Sequence, residues 1–419
     1  MGGGLLQLVA YGAQDAYLSG NPQITFWRGL YKRHTNFAME PFRVNLTGQA
    51  DWGVKHSAIL PRHADLISNA YLEVELPEYG YWSGSRLGFK MIKYVELDIG
   101  GQVIDRLYGE WLAIWSSLSL SLEAIEKLDR MISSNQSTLE TGNCNGGGYK
   151  KLYVPLAFYF ARNPGAALPL IALQYHEVKF NILWNTSEFL TRNKLGDGQP
   201  PKPPAPRQAN LLIDYIYLDV EERRRMAQES HEYLIEQVQF NEDKGITSQN
   251  TRVDLTFNHP VKELVWVLQP TAFSSCKYAL PNDAYNGKLT SPHAVGDTCF
   301  DYGSVSDDVK YGLQINGQDR VPLLEGSYFG YVQPYQHHTG VGGDIACYSF
   351  AIRPEEHQPS GTCNFSRIDT ATLLVNVTNL GAGAGDLADI DMTADCRVYA
   401  INYNVLRVMS GMAGLAYSN

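Results

Sequence analysis

Cysteine is scarce and unevenly placed. The chain has six, Cys144, Cys276, Cys299, Cys347, Cys363 and Cys396. Five fall in the second half and none is spaced as C-x-x-C. That distribution excludes a disulfide framework repeated from domain to domain, and free thiols in a reducing compartment are the simpler expectation. Long apolar runs are missing too. No stretch approaches the roughly eighteen residues of a membrane span. The opening Met1-Gly2-Gly3-Gly4 has no basic segment and no long apolar core, so no secretory leader is read there. Leu6 stands where an N-myristoylation motif carries Ser or Thr. These absences read as a soluble chain made in the cytoplasm. Positive charge is in the minority: Lys and Arg number 34 against 44 Asp and Glu, a net charge of −10. Affinity for nucleic acid comes mostly from phosphate neutralisation by Lys and Arg, so no direct nucleic-acid binding is expected.

Catalytic and cofactor motifs are absent or incomplete. Gly381-Ala382-Gly383-Ala384-Gly385 follows a strand-like run, but Asp386 stands where a dinucleotide fingerprint needs its third glycine, and no good helix follows. His231-Glu232 begins like a zinc-protease helix, yet Ile235 occupies the place of the second histidine. His337 and His338 are adjacent, so on a strand their rings face opposite ways, and no nearby Cys or Asp spacing completes a metal site. Glu73 and Glu75 share one strand face and read as solvent-facing. Arg223-Arg224-Arg225 reads as a solvated helix face neutralised by Glu221, Glu222 and Glu229. The expectation is therefore no catalytic residue, no cofactor and no metal. Glycosylation sequons begin at Asn45, Asn135, Asn185, Asn364 and Asn376, the last in mid-strand.

What is present is strand text that occurs twice. Hydrophobic residues make up 44% of the chain, so it buries a core, and its 26 Tyr, 38 Gly and 20 Pro favour strands and tight turns. Asp98-Ile99-Gly100-Gly101-Gln102, followed by Asp105-Arg106, is echoed by Gln314-Ile315-Asn316-Gly317-Gln318-Asp319-Arg320. Gly-Gly and Asn-Gly both suit a two-residue hairpin turn with positive φ. Leu72–Pro77 is echoed by Leu264–Pro270, and Tyr159–Pro164 by Ser349–Pro354, each read as a strand closed by proline. Val178–Ile182 is echoed by Leu373–Val377, and Ile216–Val220 by Ile401–Val405. The matches keep one order in both halves. Many short strands with Gly/Pro-rich turns and few helices predict an all-β chain of two tandem eight-stranded jelly-roll β-sandwiches, with short helices in the loops.

The expected organisation is an N-terminal arm over 1–24, a first roll over 25–220, a connecting helix over 221–236 and a second roll with a C-terminal tail over 237–419. Strands begin near Ile24. One helix runs from Trp111 to about Arg130, with Leu118, Leu122, Ile125 and Leu128 at helical spacing. Asp219 caps the connecting helix. Asn143–Gly148, 196–206 and 271–310 read as loops. In the arm, Leu5, Leu6, Leu8, Val9, Tyr11 and Tyr17 are too apolar to leave in water without cost, so an ordered assembly arm is expected.

Four segments carry a family resemblance. They are Gly4–Phe26, Tyr31–Ala38, Glu221–Ala227 with His231–Ile235, and Tyr403–Met412. The chain resembles the major capsid proteins of nucleocytoplasmic large DNA viruses from end to end. The resemblance implies a double jelly roll, a homotrimer of pseudo-hexagonal outline, and neighbouring capsomers in the icosahedral shell of a virion. It also implies an inner viral membrane nearby and an arm that faces the capsid interior and meets minor capsid proteins or adjacent capsomers. Jelly rolls also host sugar-binding and metal chemistry, so a lectin-like carbohydrate-binding protein is the alternative, and a cupin-like metalloenzyme a third reading.

Overall fold

The computed structural model describes residues 2–27, 29, 31–77, 79, 82, 86–132, 149–191, 202–246, 250–271, 302, 304–305, 309–340, 342–377 and 393–417. The chain separates into two compact units, Met1–Phe37 and Ala38–Asn419. The first holds two short helices, Gly3–Val9 and Asp15–Ser19, neither with a buried residue. Strands were expected from Ile24, but the first is Phe37–Asn45. Ile24, Phe26, Trp27 and Tyr31 are all exposed, because an alternating run forms a strand only when a sheet edge takes its backbone hydrogen bonds.

The second unit is built from β1 Phe37–Asn45, β2 Lys55–Ile59, β3 Leu66–Pro77, β4 Ile92–Ile99, β5 Gln102–Tyr108, β6 Tyr149–Pro155, β7 Leu168–Pro169, β8 Val178–Trp184 and β9 Gln208–Leu218. Then follow β10 His231–Ile246, β11 Asn250–Asp254, β12 Pro260–Pro270, β13 Val309–Ile315, β14 Gln318–Glu325, β15 Ala346–Ser349, β16 Cys363–Asn364, β17 Ala371–Val377, β18 Ala394–Met409 and β19 Met412–Leu415. The first half makes one sheet in the order β1-β9-β3-β6 and another in the order β2-β8-β4-β5. The second half repeats both orders, as β10-β18-β12-β15 and β11-β17-β13-β14; the short β7 pairs with β3 in the first half, and β16 and β19 pair with β12 and β18 in the second. Each interstrand pairing whose register is described is antiparallel. Two jelly rolls in tandem are therefore present, equivalent strand for strand.

The echoes in the sequence mark equivalent strands. β8 and β17 share one alternation of buried and half-buried residues along seven positions, as a strand with one face on the core requires. In the hairpins, Ile99 pairs with Gln102 and Ile315 with Gln318, leaving two-residue turns. Both turns sit at positive φ: Gly100 at 62° and Gly101 at 88°, Asn316 at 50° and Gly317 at 76°.

Several expectations change. Tyr159–Arg162 is one helical turn, and β15 ends at Ser349 before the chain bends, so that echo is not of two strands. The helix expected from Trp111 to Arg130 is two, Gly109–Ser119 and Leu122–Ile132, because Leu120 turns extended between them. The connecting helix is Val220–Gln228 only. Asp219 starts it, its carboxylate accepting from Val220 N at 2.9 Å. Glu229 is already extended, and from His231 the chain joins β18 in a long antiparallel ladder. The partner strand, invisible in the local text, overrides helix propensity there. Leu128 and Ile132 are buried and hold the second of these helices on the first roll.

A polar seam and a buried histidine

The two rolls are fused along a seam in which β10, β12 and β18 of the second roll lie against β5 and the Gly109–Ser119 helix of the first. The first eleven residues of β18 are buried without a break. Val398 and Ala400 face the second roll's core, while Tyr399 and Ile401 join a cluster with the first roll's Leu107, Trp111 and Ile114. A strand covered on both faces loses its apolar–polar alternation.

Charged groups in the seam are matched one to another. Glu110, at the start of the helix, accepts from Tyr399 Oη at 2.6 Å, Arg397 Nε at 3.0 Å and Tyr302 Oη at 3.2 Å. Arg397 Nη2 also donates to Gln269 Oε1 at 2.7 Å. Burial works against the Arg397 charge, but Glu110 and the two tyrosines outweigh it and hold the guanidinium ionised. Glu236 of β10 binds Lys262 Nζ at 2.6 Å and Arg162 Nη1 of the first roll at 2.7 Å. Burial pushes its carboxyl up, and these two cations bring it below the usual range. Asp105 of β5 accepts from Val238 N of β10 at 3.1 Å. Burial pushes its carboxyl up to about 7, against the pull of its backbone hydrogen bonds and Arg162. Gln237 donates to the Ile104 carbonyl across the same line.

His338 lies beyond the short helix Gln333–His337 and is not on a strand. Its side chain is fully buried, with Nε2 2.5 Å from Glu263 Oε1 and Nδ1 3.1 Å from Glu355 Oε1. Burial lowers its affinity for the second proton, but Glu263, with Cys347 and Glu355, pushes the imidazole up to about 12. Adjacent-residue spacing gave no sign of this cluster, since its members come from β12, β15 and two loops.

Other readings of the sequence resolve as follows. Leu5, Leu6, Leu8, Val9, Tyr11 and Tyr17 are all exposed, between 58% and 91%. Glu73 is 5% exposed, not solvent-facing. Arg43 clamps it at 2.7 and 3.0 Å, and Lys151 stands 3.8 Å away. Arg223 reaches Asp65 at 2.8 Å, so it ties the connecting helix to the first roll, while Arg225 pairs with Glu229 at 3.1 Å. Among the described cysteines, Cys347, Cys363 and Cys396 are free. Asn45 and Asn364 are exposed. Asn185 is half-buried and donates to the Lys90 carbonyl at 2.8 Å. Asn135, Asn143–Gly148, Gly381–Gly385 and most of 271–310 lie outside the described residues. No helix among the described residues is long and apolar enough to cross a membrane.

Comparison with known proteins agrees with this architecture. Residues 25–219 match the model of the major capsid protein N-terminus, and residues 222–414 that of the large eukaryotic DNA virus major capsid protein. The major capsid protein of Phaeocystis pouchetii virus is 42% identical, and that of Paramecium bursaria Chlorella virus 1 is 41% identical, each over 100% of both chains. A quasi-atomic model of the PBCV-1 virus capsid superposes with a TM-score of 0.78 at 36% identity, covering 94% of this chain and 100% of that one. With two family models covering nearly the whole chain, and relatives alike from end to end, the chain belongs to the large eukaryotic DNA virus major capsid proteins.

Proposed function

We propose that three copies of this chain associate into a homotrimer of pseudo-hexagonal outline, and that these capsomers tile an icosahedral shell. The family is one of structural capsid proteins rather than enzymes, and its place is the shell of the virion. The carbohydrate-binding and metalloenzyme alternatives are therefore set aside. One observation carries the trimer: each chain holds two rolls with the same strand order in a single compact body. Three such chains present six similar corners around a closed threefold axis, which is what a hexagonal lattice accepts. Closed association also covers sheet edges that would otherwise pair without limit.

We assign the functional division as an arm at 1–24 and two rolls joined near residue 220 by the helix Val220–Gln228. The arm's exposed Leu5, Leu6, Leu8, Val9, Tyr11 and Tyr17 form the segment best suited to a partner. Neighbouring capsomers and minor capsid proteins on the inner side of the shell, toward an enclosed membrane, are the partners we assign to it.

The solution mass of the purified chain tests the trimer. A species of about 140 kDa that survives dilution is expected for three copies of a 46.7 kDa chain. A stable 46.7 kDa monomer would overturn it. Deleting residues 2–24 is expected to leave the trimer intact and to abolish incorporation into shells.

A further inference from the structure

We propose that Glu263, His338 and Cys347 form a structural site for a divalent transition metal of the zinc class, placed beside the seam of the second roll. One ligand atom from each, a carboxylate oxygen, an imidazole nitrogen and the thiol sulfur, lies within 4.8 Å of the other two. The sheet register produces this convergence. Glu263 pairs with Ser349 and Val265 with Cys347, which sets Glu263 and Cys347 on one face of the β12–β15 ladder. His338 is laid across that face by the chain leaving the Gln333–His337 helix.

Three features favour a metal over an ordinary hydrogen-bonded cluster. Glu263 is 0% exposed, yet its Oε2 has no hydrogen-bond partner. A buried carboxylate oxygen left without a partner is costly, and a metal bound to it would supply the partner that the His338 ring, engaged with Oε1, does not. The outer ring nitrogen of His338 rests on Glu355 Oε1 at 3.1 Å, and Glu355 is itself fixed by Thr339 N at 2.9 Å and Thr339 Oγ1 at 2.5 Å. A carboxylate behind a histidine is the usual second support of a metal-bound imidazole, orienting the ring and raising its basicity. Finally, one sulfur, one nitrogen and one oxygen suit zinc or cobalt, whereas calcium and magnesium select oxygen alone. Three protein ligands leave a fourth position of the tetrahedron for water.

The thiolate is the ligand form of cysteine, so a divalent ion entering the site would take the place of the Cys347 thiol proton. Binding would tie β12, β15 and the 338–340 segment together. That segment docks on the first roll, where Gly340 N donates to the Leu118 carbonyl at 2.7 Å. A Cβ at Gly340 would stand 2.3 Å from the Ser117 carbonyl, so the approach is as close as backbone permits. The metal would thus brace the part of the second roll that grips the Gly109–Ser119 helix.

Elemental analysis and cobalt titration of the full-length oligomer test the site. After chelator treatment, cobalt should bind at one per chain and give a thiolate-to-cobalt charge-transfer band in the near ultraviolet. Cys347→Ser should lose that band and Cys363→Ser keep it. Glu355→Gln should keep the stoichiometry with affinity reduced about 10- to 100-fold. Should Cys347→Ser fail to fold, the wild-type titration decides alone. A wild-type protein that takes up no cobalt or zinc at micromolar concentration, or a band that survives in folded Cys347→Ser, overturns the assignment.

Discussion

The two rolls share a topology but not an environment, and one pair of equivalent strands shows the difference. In β3 the outward positions after Leu72 and Val74 are Glu73 and Glu75. In β12 the corresponding positions, after Leu264 and Trp266, are Val265 and Val267. The inward residues Leu72, Val74, Leu264 and Trp266 are no more than 1% exposed. The outward faces diverge because their coverings differ. Glu73 and Glu75 lie under partly exposed Arg43, Lys151 and Arg207, whereas Val265 and Val267 pack into the cluster shared with the first roll. A duplicated sheet thus keeps its core face and rewrites its other face to suit whatever lies against it.

Exchanging those outward residues should break the symmetry most sharply. Val265→Glu puts a carboxylate into the seam with no cation in place to meet it. An unpaired buried charge costs roughly 3–5 kcal/mol, and soluble protein of the proposed trimeric size should be lost, read as aggregation or as monomer by size-exclusion chromatography. The mirror change, Glu73→Val, releases only half-exposed cations, and its cost should be within about 1 kcal/mol by denaturant midpoint. Equal effects would mean that Val265 does not sit in an apolar cluster shared with the first roll.

Glu110 tests whether seam polarity is structural. Glu110→Ala strands Arg397 in a site where its guanidinium is buried, and removes the acceptor of Tyr399 and Tyr302. A loss of about 3 kcal/mol is expected. In Arg397→Met Glu110→Leu most of that loss should return, since paired removal leaves no orphan charge.

The Asp-Arg pair that follows each hairpin turn gives a pH comparison. Asp105 is buried in the seam, while Asp319 is exposed and bonded to Gln314. With its folded carboxyl pushed from 3.8 to about 7, Asp105 keeps its proton in the fold where the unfolded chain has released it. The folded state therefore binds more protons between about pH 4 and 7, so this group's contribution falls as pH rises through that window and is level above it. The slope is at most about 1.4 kcal/mol per pH unit. Asp105→Asn retains an oxygen for Val238 N, and should flatten that slope and gain on the wild type at pH 8 in thermal melts.

Much of this architecture was legible because turns and core faces leave local marks. Gly100-Gly101 and Asn316-Gly317 announced their hairpins, and the alternation of Val178–Ile182 and Leu373–Val377 announced one-sided burial. The seam was not legible, because burial on both faces erases alternation in β18 and makes Glu110, Glu236 and Asp105 look like surface residues until their partners arrive. His231–Glu236 misled for the same reason, as its strand is defined by β18 some 170 residues away. The histidine cluster depends on contacts between Glu263, His338, Cys347 and Glu355, and no spacing rule reaches across a sheet register. The arm's six apolar residues were legible as an anomaly of composition, and their exposure is its structural counterpart.

The smallest expected effect is where the rolls should agree. Gly101 at φ 88° and Gly317 at φ 76° each close a two-residue turn, and a Cβ on either would meet nothing within 4 Å. Only the left-handed backbone opposes a side chain there, a cost of about 1–2 kcal/mol. Gly101→Ala and Gly317→Ala should therefore destabilise equally, within a few tenths of a kcal/mol, by denaturant midpoint. The preceding residue should separate them. Asn316 already carries a side chain, whose Oδ1 accepts from Asp369 N and Thr370 N at 3.0 and 3.1 Å. At Gly100 a Cβ would stand 2.5 Å from His176 Nδ1. Gly100→Asn, the residue its twin already uses, should thus cost more than Gly101→Ala, because His176 must move aside. A neutral Gly100→Asn would mean that the first turn has the room of the second, and that the rolls diverge only at the seam.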